Sequence, residues 1–451
     1  MAATHPSPNP VQGAAGGPQA HWRRTYWVVW TANLITAVGM MSFLPFFPSL
    51  LEELGMQGEA AISRWSGICF AAAPLSATFS APIWGAVGDR LGRKLMVCRA
   101  LMAICVFVGG MAFVTSAWQL LALRIAQGMF SGFLPPSITL VSVAAPADRQ
   151  GRLAGNLTTS IALGGLAGPM FGGLVAAQLG SHKSVFLVVG LLAGLSALLV
   201  WFGAVEDPAT RREGEGGGGL RGAWNQTLDD LREVMGHRVM RTTASLVFAL
   251  QFGAATINPQ LDLYVRELLD PATVQGSWLG RLAGLGWSDD SGMTLAERTM
   301  VLANSLLFGV SAVANLLTLS AWGMYGDKVG HRRALVHCSF VCIAALALQA
   351  AVPHYVGLLA GRVLIGVGMA GAAPLAFGLA AGLASVDRRG GAFGVVFSAR
   401  TLAVAVGGTI GGFLYPWIGA RGVLAASTVA VTAALIAFWR GRRSAAAATT
   451  R

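Results

Sequence analysis

From Thr25 onward the chain alternates between long apolar stretches and short polar ones. Runs of 18 or more mainly apolar residues are long enough for a helix to cross a bilayer's hydrocarbon core. They predict helical spans at 25–51, 65–87, 95–115, 118–144, 153–178 and 184–204, then at 242–266, 299–325, 334–353, 356–384, 392–416 and 421–440. The first run is too long for a signal-peptide core and reads as a retained span. A polar stretch, 205–241, carries Arg211, Arg212 and four consecutive glycines at 216–219, the composition of a flexible linker. The expected organisation is a disordered tail (1–24), a six-helix bundle (25–204), the linker, a second six-helix bundle (242–440) and a short tail (441–451). The fold class is therefore all-α membrane protein.

Composition narrows the class further. Hydrophobic residues make up 54% of the chain and charged residues 12%, about half the usual charged share. Such a chain cannot cover a water-exposed surface, which excludes a soluble enzyme or a disordered protein. The net charge of +12 would suit nucleic acid, but its distribution does not. With twelve spans both termini lie on one side. Of 32 Lys and Arg, 23 fall in segments on that side, six on the other (Arg64, Lys183, Arg266, Arg281, Arg298 and Arg421), and Arg124, Arg362 and Arg400 lie within spans. That is the positive-inside pattern. Both termini are expected in the cytoplasm, the protein in the inner or plasma membrane, and no basic patch is left for a nucleic-acid partner. Trp65, Trp118 and Trp417 are expected at the outer interface, and Trp84, Trp201, Trp322 and Trp439 at the inner one.

Five cysteines without CxxC spacing, and no His, Cys, Asp or Glu cluster at ligand spacing, give no expectation of a metal or cofactor. HExxH, GxSxG and GxxxxGK[ST] are absent, which argues against a membrane-embedded enzyme and an ATP-driven pump.

The two halves are copies. Trp84, Gly85, Gly88, Asp89 and Gly92 recur 238 residues on as Trp322, Gly323, Gly326, Asp327 and Gly330, and Arg124 and Gly128 as Arg362 and Gly366. An offset of 239 takes Asp148-Arg149 to Asp387-Arg388 and Gly172-Gly173 to Gly411-Gly412. Colinear matches of this kind mark a duplicated six-span unit, suited to alternating access around a midplane site.

The turn Gly85, Gly88, Asp89, Arg90, Gly92, Arg93 and Lys94 can be read physically. Gly85 and Gly88 allow two helix ends to approach, Gly92 permits positive φ, and Asp89 suits a neighbouring helix N-terminus. The cations can form ion pairs that break when the halves separate. The second copy supplies Gly323, Asp327, Lys328, Gly330 and Arg332 for the same gate. Arg124 opens a second pattern with Gln127 and Gly128. It lies six residues below Trp118, about 9 Å at 1.5 Å per residue, where a guanidinium either faces protein and water or snorkels to headgroups. In span 5, Gly164, Gly168 and Gly172 line one face beside Gly173, and Pro169 should bend the helix. The second half has Gly408 where Pro169 stands, an asymmetry that favours a functional bend.

These patterns resemble the major facilitator superfamily: the Gly85–Lys94 turn its loop between spans 2 and 3, Arg124-Ile-Ala-Gln127-Gly128 its span-4 arginine motif, and the Pro169 frame the mark of its exporting branches. With Trp65-Ser-Gly-Ile and Leu263-Tyr264-Val265-Arg266-Glu267-Leu268, the chain is similar over 25–440 to the twelve-helix drug:proton antiporter branch. The resemblance implies inverted repeats within each bundle, a central cavity, proton-coupled efflux of small amphipathic compounds, and a coupling role for Arg124 and Gln127. Uptake or exchange of a specific metabolite is the alternative within that fold. The expected partners are substrate, protons and lipid, with the protein a monomer. One departure stands out: span 1 offers Asn33 where many relatives carry an acid.

Asp262 is the acid placed inside a span, after the break Asn258-Pro259-Gln260. It is either a proton carrier or an ordinary i, i+4 partner of Arg266. Arg400 lies near the midplane, with an anionic or polar substrate group, or Asp262, as its expected partner. Asn33, Met40, Phe43, Gln251, Asn258, Asn304 and Asn315 are further cavity candidates. The outer loop 267–298 reads as a lid or an insertion.

Overall fold

The computed structural model describes residues 22–145, 150–206, 232, 236, 238–269, 276–284, 294–383 and 389–448. The linker, Asp148-Arg149, Asp387-Arg388 and the outer-loop residues Trp287, Asp289 and Asp290 lie outside them. Within them every regular element is helical. Eight helical segments are apolar and long enough to cross a membrane on hydropathy alone, and the last of these contains spans 11 and 12 together.

Helices extend past the apolar runs because the turns at each membrane face are themselves helical. Span 1 starts at Trp22, inside the expected tail, and span 2 runs Glu59–Leu91. Span 3 is Arg93–Gly110, span 5 Gln150–Leu179 and span 6 His182–Gly203. Span 8 is Leu295–Val329, span 9 His331–Ala351 and span 10 Tyr355–Leu383. Spans 11 and 12 form one stretch, Arg389–Ala448, folded at Gly419 with φ 64°. Part of the outer loop is a short helix, Trp278–Gly284, whose Leu279 and Ala283 are buried and which packs on span 8.

Proline breaks three of the remaining helices. Span 1 passes Trp22–Ser42 through a 3-10 turn at Leu44–Phe46 into Phe47–Glu53. Span 4 is two segments, Ala117–Phe130 and Leu134–Ala144, and span 7 is Arg238–Ala255, a turn at Asn258–Gln260, and Leu261–Leu268. Each restarted segment has proline in its first turn, where no intrahelical N–H is needed. The break in span 7 was expected; those in spans 1 and 4 were not. Span 5 continues as one helix through Pro169.

Span 2 packs along span 11, and span 5 along span 8. The duplication turns span 2 into span 8 and span 5 into span 11, so these seams are one contact made twice. Inside the first bundle, span 5 lies on span 1 by its glycines, since a Cβ at Gly172 would overlap the Ser42 carbonyl and one at Gly164 would overlap Ala37. Membrane helices associate by such close packing, without a hydrophobic drive between them.

Replacing Gly172 by Ala forces the Ser42 backbone away, an overpacking cost of about 1–3 kcal/mol. A Cβ at Gly165 meets nothing within 4 Å. In detergent, G172A is expected to lower the unfolding temperature while G165A leaves it unchanged or raises it; equal effects would refute the glycine seat.

Candidate transport site

Arg124 does not snorkel. It is 3% exposed, and its guanidinium faces inward. Nε donates to the Cys69 carbonyl at 2.9 Å, Nη2 to the Phe70 carbonyl at 3.3 Å and Nη1 to Gln127 Oε1 at 2.6 Å. The guanidinium also lies over the rings of Phe43 and Phe47, 5.6 and 5.2 Å from their centroids. The Phe70 carbonyl is available for a local reason: its helical partner would be the N–H of residue 74, which is Pro74. Gln127 completes the set, its Nε2 donating to the Met40 sulfur at 3.4 Å. An arginine in the bilayer costs about 2.5–3.5 kcal/mol on insertion scales, and charge-assisted bonds to carbonyls offset this.

Its repeat mate is less satisfied. Arg362 is 4% exposed and Nη1 donates to Asn258 Oδ1 at 2.8 Å, but Nε and Nη2 are buried without a hydrogen-bond partner. Arg400 Nε is in the same condition, and Asp262 is not its partner.

Asp262 instead ties the halves together. Its Oδ2 accepts from Ser49 Oγ of the first half at 2.6 Å and from Arg266 at 3.1 Å, and its Oδ1 from Asn304 Nδ2 at 3.4 Å. Arg266 also donates to Glu52 at 2.8 Å and to Ser49 at 3.0 Å, and Asn304 to the Pro45 carbonyl at 2.9 Å. The i, i+4 pair with Arg266 therefore exists as one edge of a cross-half network. Alongside it, Ser63 Oγ donates to the Gly412 carbonyl at 3.0 Å and Gln260 Nε2 to the Ser63 carbonyl at 3.2 Å. Pro416, four residues on, leaves the Gly412 carbonyl free. Gly67 and Gly408 let spans 2 and 11 touch, a Cβ on Gly67 falling 2.5 Å from the Gly408 oxygen. Tyr415 donates to Glu267 nearby. All these bonds lie at the end of the bundle opposite the termini.

The asymmetry between Pro169 and Gly408 thus has a packing cause. A Cβ at Gly408 would come 2.8 Å from the Phe70 ring, so the seam with span 2 demands glycine there.

At the terminus end, Gly92 and Gly330 have φ of 98° and 90°, as their turns require. Gly85, Asp89 and Arg90 fall outside the described side chains. Gly323 supports no close approach, since a Cβ there meets nothing within 4 Å. The Asp327 side chain is 75% exposed, 3.6 Å from His331. The N-terminus of span 3 is held not by Asp89 but by Glu206, whose carboxylate accepts from the backbone N–H groups of Arg93 at 2.7 Å and Lys94 at 3.1 Å. The Lys94 ammonium lies 5.7 Å from the centre of the Trp201 ring. Sequence reading missed Glu206, which stands at the end of span 6.

Two cavity expectations are corrected. Phe43 is fully buried in the core against Phe47 and Phe186, beneath Arg124, because span 1 turns there at Pro45. Asn304 is fully buried in the cross-half network. Asn33 is buried too and accepts from Ser137 at 3.1 Å, its Nδ2 unpartnered. Gln251 keeps a buried, unpartnered Oε1, and Asn315 donates to the Gly366 carbonyl at 3.3 Å. No group of three or more potential metal ligands occurs among the described residues.

Two duplicated six-helix bundles, closed on each other at one end, define a membrane transporter. A family model described as Major Facilitator Superfamily matches residues 29–288 and 291–451, and the chain belongs to that superfamily. It is 28% identical over 397 residues, 87% of this chain and 88% of the relative, to the multi-drug resistance efflux pump PmrA of Streptococcus pneumoniae. It is 27% identical over 430 residues, 94% and 96% of the two chains, to the multidrug resistance protein MdtG of Citrobacter koseri. The crystal structure of a bacterial homolog of the human lysosomal transporter Spinster, inward-facing and unoccupied, superposes with a TM-score of 0.67 at 13% identity, over 95% of this chain and 98% of that one.

Two results would test the seam. Because Pro416 frees the acceptor that Ser63 uses, S63A should destabilise the wild type by about 0.6 kcal/mol, the mean for a membrane hydrogen bond, and much less in a P416A background. Additive losses would deny the link. The Arg266–Glu52 pair is over a third exposed, whereas the Asp262 side chain is 5% exposed. Exposed pairs contribute little, and a buried partner's loss costs far more. Spin labels at Gln57 and His354 should therefore separate more in D262A than in E52A; the reverse order would overturn this ranking.

Proposed function

We propose that the chain exports small amphipathic compounds in exchange for protons, by alternating access between its two halves. The observation that carries this reading is similarity along 87% and 94% of the chain to relatives named as multidrug efflux proteins. The Gly164–Gly173 frame around Pro169, resembling that of exporting branches, supports the direction. The lysine and arginine distribution supports cytoplasmic termini, which makes the bonded end the outer one. On that orientation the structure is closed outward and faces inward, the state that would load a compound for export.

Asp262 is the acid proposed to couple protons to movement. Ionised, it accepts from Ser49, Arg266 and Asn304 and holds the halves together. Protonated, it loses the charge that pairs with Arg266, and the outer seam weakens. Arg124 fixes the shape of the first bundle around spans 2 and 4 and carries its permanent charge near the cavity. Arg362 and Arg400, with buried donors unmet, are the cations that a polar or anionic group on the substrate would satisfy.

In inverted membrane vesicles, an imposed proton gradient should drive uptake of a fluorescent amphipathic dye, and an uncoupler should abolish it. R124A should reach the membrane at wild-type levels yet lose gradient-driven transport. Dye movement indifferent to the uncoupler, or normal in R124A, would end this reading.

A further inference from the structure

The duplication places an anion-binding arrangement at the terminus end of each half, and only one of the two holds an anion of its own. In the first half, the N-terminus of span 3 donates two backbone N–H groups to the Glu206 carboxylate, and Lys94 lies over Trp201 at the end of span 6. In the second, His331 and Arg332 stand at the matching positions on span 9, and Phe438 and Trp439 end span 12. The Arg332 guanidinium lies 4.7 Å from the Phe438 ring centre and donates to the Phe438 carbonyl at 2.9 Å. The residue corresponding to Glu206 is Ser444, preceded by Arg442 and Arg443, and the sequence contains no acid after Asp387.

A crevice of about 580 Å³ opens at this second site, between the span 8–9 turn, the end of span 10 and the end of span 12. His331, Arg332 and Arg333 form its polar side. The span 9 helix starts from Gly330 without a side-chain cap, so its first N–H groups and the positive end of its dipole are turned to the same side. Gly378 forms part of the floor, and the His331 ring packs directly on it. The remaining wall is apolar, with Val336 and Trp439 in the lining. One helical turn away from these, Phe340 and Ile436 are exposed, on surfaces that face hydrocarbon.

We infer that this crevice binds the phosphate headgroup of an anionic phospholipid from the leaflet on the side of the termini. The phosphate takes the place that Glu206 fills in the first half, and the acyl chains continue over Phe340 and Ile436. A soluble phosphate would satisfy the cations and helix end equally, but would leave that apolar surface unused. Basic pockets between membrane helices at the interface recognise headgroups in this way. Bound there, the lipid joins the 8–9 turn to span 12, so its presence stabilises the second bundle.

The test uses the purified full-length protein and measures thermal unfolding and retained lipid by native mass spectrometry. Phosphatidylglycerol is the probe, with phosphatidylcholine and inorganic phosphate as comparisons. Wild type should bind and be stabilised by phosphatidylglycerol over phosphatidylcholine. R333Q should bind it about fivefold more weakly, the value of one cation near an anionic surface. S444E, which rebuilds the first half's carboxylate, should bind it as weakly or more so without losing stability in phosphatidylcholine. R332Q should also lose the preference, and R333Q and S444E keep the test open if it does not fold. Unchanged phosphatidylglycerol binding in R333Q and S444E would overturn the proposal. Full stabilisation by inorganic phosphate with no lipid preference would overturn the lipid source.

Discussion

In hydrocarbon a backbone carbonyl without a partner has no water to turn to, so every proline inside a membrane helix creates an acceptor that some other group must fill. The architecture uses this twice. Pro74 frees the Phe70 carbonyl, and the buried guanidinium of Arg124 takes it, so a charge that the bilayer penalises becomes a clamp between spans 2 and 4. Pro416 frees the Gly412 carbonyl, and Ser63 of the other half takes it. Glycine then sets how near the donors can come, as where Gly67 meets Gly408. Proline supplies the acceptor and glycine the proximity.

The same devices separate what is rigid from what can part. Inside the first bundle, span 5 is seated on span 1 by overlap-tight glycines, and Arg124 is fully engaged. Between the bundles the ties are a few polar bonds and glycine contacts at one end, centred on Asp262. A structure that must open there can afford only bonds that a change of protonation or a ligand is able to replace, and Ser49, Arg266 and Asn304 around one carboxylate meet that condition.

Duplication gave the halves equal frames, and divergence gave them different loads. Arg124 is satisfied where Arg362 keeps unmet donors. Pro169 stands where Gly408 must accept the Phe70 ring. Glu206 caps span 3 where Ser444 follows two arginines. In each pair the backbone position is kept and the side-chain partner has changed.

Hydropathy, charge asymmetry and the repeat were enough to establish twelve spans in two matched bundles, because membrane thickness and lysine and arginine placement act on the chain locally. The Gly92 and Gly330 turns and the break at Pro259 were legible for the same reason: each depends on one residue's own backbone. The proline signals at 74 and 416 were also present in the sequence, but what filled the freed carbonyls was not. That Asp262 joins Ser49 and Asn304 rather than Arg400, that Phe43 lies beneath Arg124, and that Glu206 reaches span 3 depend on groups far apart in the chain. Local sequence determines where a helix runs and which polar group it leaves unsatisfied; only the packing of helices against one another decides which distant residue satisfies it.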